Sequence, residues 1–178
     1  LLIPAMTMRS WAEEKKEGTD EILLTMPFRE VDLVLGKYLA SLILLGIMLA
    51  LTIPLPLTLA PLGDFESGQI VGQYLGSVLL GSAGIAVGIF IPSLSKNQIS
   101  AFIFSALILL VITMAGRANL VLNLPGVLSD LLSYISLDYH FESFKKGLLD
   151  SRDLVFFLLF TGMFLYFNTR TLVFRKWN

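Results

Sequence analysis

The chain has 178 residues, 55% hydrophobic and only 15% charged, with a net charge of −1 and a mean hydropathy of +0.76. Soluble domains run at about 45–50% apolar and about 25% charged residues, so the composition excludes an ordinary soluble fold, and the charge offers nothing to a nucleic acid. There is no cysteine, which excludes disulfides, thiolate metal sites and cysteine nucleophiles and leaves the redox compartment unread.

Residues 1–8 (LLIPAMTM) are apolar. They lack a basic leader and a small-residue cleavage site, so they do not read as a signal peptide. They read as the end of a membrane span. Residues 9–32 form the one long polar linker, RSWAEEKKEGTDEILLTMPFREVD. Trp11 stands where an interfacial anchor belongs. Glu13, Glu14, Lys15, Lys16 and Glu17 are strong helix formers, so the span is expected to run on into this segment. Gly18 supplies a C′ position where positive φ costs little. Thr19 is placed to cap a second, short helix, with Asp20 and Glu21 at its positive dipole end. Ile22, Leu23 and Leu24 give that helix an apolar side, and Pro27 closes it. Two readings follow: a solvated connector, or a docking element whose exposed leucines enter a groove on a partner.

Charge gaps locate the spans. No charged residue occurs over 38–63, 67–95, 97–116 or 154–169. A crossing helix needs roughly 20 mostly apolar residues, so four complete spans are expected near 33–61, 69–92, 98–116 and 153–174. Arg170 can reach the headgroups along its own stem. Only helices and closed barrels satisfy their backbone groups in hydrocarbon. The run LILLGIMLAL at 42–51 has none of the alternating polarity of a barrel strand. The prediction is therefore an all-α, polytopic helical bundle: four complete spans and the end of a fifth.

Within it, Pro54 and Pro56 predict a kink or early end for the span at 33–61. The next span carries Gly72, Gly76, Gly81, Gly84 and Gly88. Gly72/Gly76 and Gly84/Gly88 are GxxxG pairs, and small residues let helix backbones approach in lipid. They serve either packing within the subunit or a surface that slides during a functional cycle. No charge lies deep in any span, which argues against a proton-coupled carrier.

The segment 117–152 is amphipathic, with Leu124, Val127, Leu128, Leu131, Leu132 and Ile135 at helical spacing. Asn123 is its expected N-cap and Pro125 lies in its first turn. A helix lying on or dipping into the leaflet is expected, and Asp150 or Ser151 should cap the last span. His140, the only histidine, has no second His and no Cys to form a metal site, so it reads as a surface or interfacial residue. Asp138, Glu142, Asp150 and Asp153 read as a solvated acidic face.

The loops set the topology. Residues 9–32, 93–97 and the C-terminus share one side, which with Lys37 at the adjoining span end holds nine Lys/Arg; 62–68 and 117–152 share the other and hold four. The positive-inside rule puts the first side in the cytoplasm.

The string AEEKKEGTDEILLTMPFREVDLVLGKYLASL resembles the signature segment of ABC-2 type permeases. Glu13, Glu14, Lys15, Gly18, Thr19, Glu21, Leu24, Pro27, Gly36 and Lys37 fall on that pattern. SLSKNQISAFIFS resembles the family's loop between its fourth and fifth spans. The run from Ser136 to Leu172 resembles the C-terminal part of the subgroup that includes gliding-motility-associated and NosY-like permeases. The resemblance implies six spans, so that 1–8 is the end of span 2, 9–32 the cytoplasmic coupling segment, and 33–61, 69–92, 98–116 and 153–174 are spans 3 to 6. It implies a multi-pass protein of the cell membrane with a cytoplasmic C-terminus, no catalytic residue of its own, and no cofactor. ATP and Mg would be bound by a separate ABC ATPase subunit, and a second permease subunit and membrane lipids would complete the set of partners. The expected coupling residues are Glu13, Glu14, Gly18, Thr19, Glu21, Leu23 and Leu24; the expected packing residues are Gly72, Gly76, Gly84 and Gly88. No Walker phosphate loop occurs in the chain. The alternatives are a scaffold that docks an ATPase without transport, and an intramembrane enzyme using Ser77, Ser82, Ser100, Ser105 or Thr113. The second is disfavoured because no His or Asp is expected beside them.

Overall fold

The structure is a computed structural model that describes residues 2–19, 29–59, 67–95, 97–117 and 126–176. Helices α1 (Leu2–Thr7) and α2 (Arg9–Glu17) are followed by α3 (Glu30–Thr52), α4 (Pro54–Leu59), α5 (Ser67–Leu94) and α6 (Gln98–Met114). A 3₁₀ turn (Ala115–Arg117), α7 (Gly126–Ile135), α8 (Leu137–Lys145) and α9 (Ser151–Lys176) complete the order. There is no strand among the described residues. Among the described residues, four stretches are long and apolar enough to cross a membrane: Glu30–Thr58, Gly68–Leu94, Gln98–Arg117 and Ser151–Phe174. They match the four charge gaps, and the fold is an all-α polytopic bundle.

Helix α5 is the hub. Half of its apolar window is buried, against 11% for α3 and for α6 and 22% for α9. Helices α1, α2, α3, α6, α8 and α9 all pack on it. Small residues make this possible. Ala83, Val87 and Ile91 meet Phe157 and Phe160 of α9 and Leu137 and Phe144 of α8. Ile85 and Ile89 face the opposite cluster with Val34, Leu45, Trp11 and Leu172. Along α9, Phe156, Phe160 and Phe164 form a ladder with ring centroids 5.8 and 4.9 Å apart. The remaining apolar surface, such as Leu39, Ile43 and Leu51 on α3 and Ile103, Leu107 and Val111 on α6, is exposed. Such exposure would be unfavourable in water and is neutral against lipid tails.

Each glycine of the α5 stripe has a partner inside the chain. A Cβ on Gly72 would lie 2.9 Å from the Gly147 Cα and from the Phe144 carbonyl oxygen. One on Gly76 would lie 2.6 Å from the Phe144 Cβ. Gly81 faces Leu45, Gly84 faces Ile3 at 2.8 Å, and Gly88 faces the hydroxyl of Thr7. The two GxxxG pairs thus serve different neighbours, α8 at one end of α5 and α1 at the other.

Pro54 acts as expected. Helix α3 stops at Thr52, Ile53 forms a turn, and Pro54 opens α4, where its missing N–H costs nothing. The amphipathic segment is two helices rather than one: Ser136 is extended, with φ −71° and ψ 128°, and separates α7 from α8. Asn123, Leu124 and Pro125 lie outside the described residues. Asp150 caps α9, its carboxylate accepting from the Arg152 N–H at 2.9 Å.

Candidate functional site

The polar linker begins as a near-continuation of α1, since the Met8 N–H still reaches the Pro4 carbonyl at 2.9 Å. Helix α2 then ends as predicted. Gly18 is left-handed, with φ 70° and ψ 10°, and its N–H returns to the Glu14 carbonyl. The Thr19 hydroxyl donates back to the same carbonyl at 3.3 Å. Its expected role as an N-cap concerns residues outside the described set, as do Asp20, Glu21, Ile22, Leu23, Leu24 and Pro27.

Two lysines fasten α2 to the spans. Lys37, in the second turn of α3, pairs with the Glu14 carboxylate at 2.5 Å and donates to the Ser10 carbonyl. Its ammonium also lies 4.2 Å from the centre of the Trp11 ring. Lys15 donates to the carbonyls of Pro92 at 3.2 Å, Ser95 at 3.1 Å, and Ser93. These carbonyls terminate α5, where the unpaired acceptors and the negative end of the helix dipole favour a cation. Hydrogen bonds to charged groups contribute about 1.5–3 kcal/mol each, so the α2 end of the bundle is braced at two points.

Trp11 is buried inside the protein. It is 2% exposed and packs in the core with Val34, Ile89 and Leu172, because α2 lies against α5 instead of projecting away from it. Glu14 turns inward to Lys37, while Glu13, Lys16 and Glu17 stay exposed on the other side of α2. Of the expected coupling residues, the structure therefore places Glu14 in the brace, Glu13 on the free side, and Gly18 and Thr19 at the stop. Lys15 and Lys37 fall on the signature pattern in the sequence, but their partners were not legible there. The signal for more was opposite charge, Glu14 and Lys37, near the facing ends of successive helices.

At the other end, α8 is tied down by polar contacts. The Ser136 hydroxyl donates to the Thr113 carbonyl at 2.8 Å. Asp138 accepts from Arg117 at 2.8 Å and from Lys145 at 3.0 Å. Burial pushes the Asp138 carboxyl up, but Lys145 and Arg117 outweigh it and hold the group below the usual carboxylate range. Gly147, with φ 73°, turns the chain beneath Gly72.

His140 is buried rather than at the protein surface. It is 3% exposed, 2.7 Å from the Asp153 carboxylate through Nδ1 and 2.9 Å from the Tyr134 carbonyl through Nε2. The acidic face is paired as well: Asp138 as above, Glu142 with Lys146 at 3.2 Å, and Asp153 with His140. The His–Asp pair does not form a catalytic dyad, because Nε2 is already occupied by a carbonyl. Ser82, Ser105 and Thr113 each donate to a carbonyl three or four residues back in their own helix. None is positioned as a nucleophile. No cluster of acidic or histidine ligands suited to a metal ion occurs among the described residues.

No curated protein and no solved structure matches the chain. The sequence model for ABC-2 family transporter proteins matches residues 1–149, which takes in both lysine braces, the glycine stripe and the α7–α8 pair, and stops just before α9. A match over that share of the chain shows the family: this multi-pass membrane protein belongs to the ABC-2 transporter family, the membrane permease component of ABC transporters that associates with an ABC ATPase subunit.

Proposed function

We propose that the chain is the permease of an ATP-driven exporter and that α2 carries the ATPase stroke into the spans. The observation that supports this most directly is the double brace. Lys15 joins α2 to the end of α5, and Glu14–Lys37 joins it to the start of α3. Force applied at the segment after Gly18 would therefore move α3 and α5 together, with α5 the helix on which the rest of the bundle packs. The ATPase would dock on residues 20–28 and on the free side of α2, and the excess of Lys and Arg supports a cytoplasmic location for this end and for the C-terminus. ATP and Mg belong to the partner subunit, and a second permease subunit would enclose the path. Glycine contacts between α5 and its neighbours would then slide as the two end states exchange.

The test is to purify the permease with its ATPase in nanodiscs and compare wild type with Lys37→Ala. Uncoupling predicts that the ATPase stays bound while cargo- or permease-dependent stimulation of its activity falls about tenfold or more. Stimulation unchanged in the variant would refute the brace as the transmission element. No stimulation by the wild-type permease would favour a scaffold instead.

A further inference from the structure

We infer that the cap formed by α7 and α8 is latched by protons held between His140 and Asp153. The argument starts from the partners of the imidazole. Nδ1 faces a carboxylate oxygen at 2.7 Å and Nε2 faces a backbone carbonyl at 2.9 Å. A carbonyl can only accept, and an ionised carboxylate can only accept. With two protons in the pair, as imidazolium and carboxylate or as imidazole and carboxylic acid, both contacts are hydrogen bonds. With one proton, one of them sets lone pair against lone pair in a site where His140 is 3% and Asp153 is 7% exposed.

The surroundings favour the charged arrangement. Tyr134 lies in the last turn of α7, whose carbonyl end prefers a cation, and Asp153 lies in the first turn of α9, which prefers an anion. The ring stacks on Phe156 with centroids 3.8 Å apart and a 20° interplanar angle, an arrangement that an imidazolium strengthens. His140 is thus the side chain that joins α7, α8 and α9 at one point. The other titratable groups around it are Tyr134 of α7, Tyr139, Glu142 and Lys146 of α8, Asp150 of the turn and Arg152 of α9, which line a shared cavity of about 690 Å³. Lys146 is engaged by Glu142, and the neighbouring Arg117 and Lys145 are engaged by Asp138. None of these replaces the proton between His140 and Asp153.

The consequence is a pH-dependent outer cap. Protonated, the latch ties α7 and α8 to the last span. As pH rises and the pair loses a proton, one contact fails and the cap loosens. That this end faces the external medium rests on the topology proposed above; the proton count does not.

His140 is the one histidine of these 178 residues, and its signals are assigned by their loss in His140→Gln. Full-length permease with its ATPase, carrying a tag without histidine, is labelled with ¹⁵N-histidine and ¹³C-aspartate in nanodiscs. Imidazole nitrogen and Asp153 carboxyl shifts count the protons across a pH series, and hydrogen exchange of the α8 amides, corrected for intrinsic base catalysis, reports the cap. Two protons are expected wherever α8 is protected, and loss of one should lower α8 protection at least about tenfold. Asp153→Asn should remove that pH dependence, as should His140→Gln where the variant folds. One proton with α8 still protected overturns the latch, as does protection that stays constant while the pair deprotonates.

Discussion

The Lys37 ammonium lies 2.5 Å from the Glu14 carboxylate and 4.2 Å from the centre of the Trp11 ring, so one side chain of α3 holds both a charged and an aromatic residue of α2. Lys37→Met keeps most of the stem and removes the charge. It leaves Glu14 half-buried without its cation, which costs more than deleting both partners. The double variant Glu14→Gln/Lys37→Met should therefore recover part of the stability lost in Lys37→Met alone, measured as thermal unfolding in detergent. Equal losses in the single and double variants would show that the pair is not coupled.

Gly18 tests the backbone by itself. Nothing lies within 4 Å of a Cβ built there, yet its φ is +70°. Gly18→Ala should cost only the left-handed penalty, about 1–2 kcal/mol, and Gly18→Val more, because a β-branched residue is poorly tolerated at positive φ. Gly18→Asn should be nearly neutral, since asparagine tolerates this region. ATPase pull-down should be strongest for Gly18→Asn, weaker for Gly18→Ala and weakest for Gly18→Val.

Leu23 and Leu24 test docking. Burying a leucine contributes about 1.5–3 kcal/mol, so alanine at both positions should weaken ATPase binding at least about tenfold while the permease still inserts. Binding at wild-type strength would leave the segment a plain connector.

The glycine stripe separates packing from lipid exposure. Gly76→Leu must displace Phe144, and Gly84→Leu must displace Ile3; overpacking of this kind costs about 1–3 kcal/mol. Leu44→Ala removes a side chain that is 45% exposed on α3 and should cost little in lipid. Comparable thermal stability in all three would contradict the intramolecular contacts.

Asp138 gives a pH prediction with a definite sign. Its carboxyl is held below the ordinary value of 3.8 in the folded chain. The contribution of the Arg117–Asp138–Lys145 network is therefore fully present above that ordinary value and is lost as pH falls through the lower, folded one. Asp138→Asn should remove this acid-limb loss of α8 protection in hydrogen exchange without altering any change at neutral or higher pH.

The spans, the break at Pro54, the stop at Gly18 and the cap at Asp150 were all legible in the sequence, because each is set within a few residues by hydropathy, by a missing N–H or by a tolerated φ. The sequence also placed glycines where close approach was needed, but not against what: only packing assigns Gly72 and Gly76 to α8 and Gly84 and Gly88 to α1. His140 and Trp11 were read as interfacial, since an isolated polar or amphipathic residue near a span end carries no local sign of burial. Their burial depends on α2 folding back on α5 and on α8 docking beside α9, and these arrangements bring together residues as distant as Lys15 and Ser95, or His140 and Asp153. Composition and local pattern determined that this chain crosses a membrane as helices; the tertiary structure alone decided pairs such as Glu14–Lys37 and Asp153–His140, because these partners meet across helices and not along one.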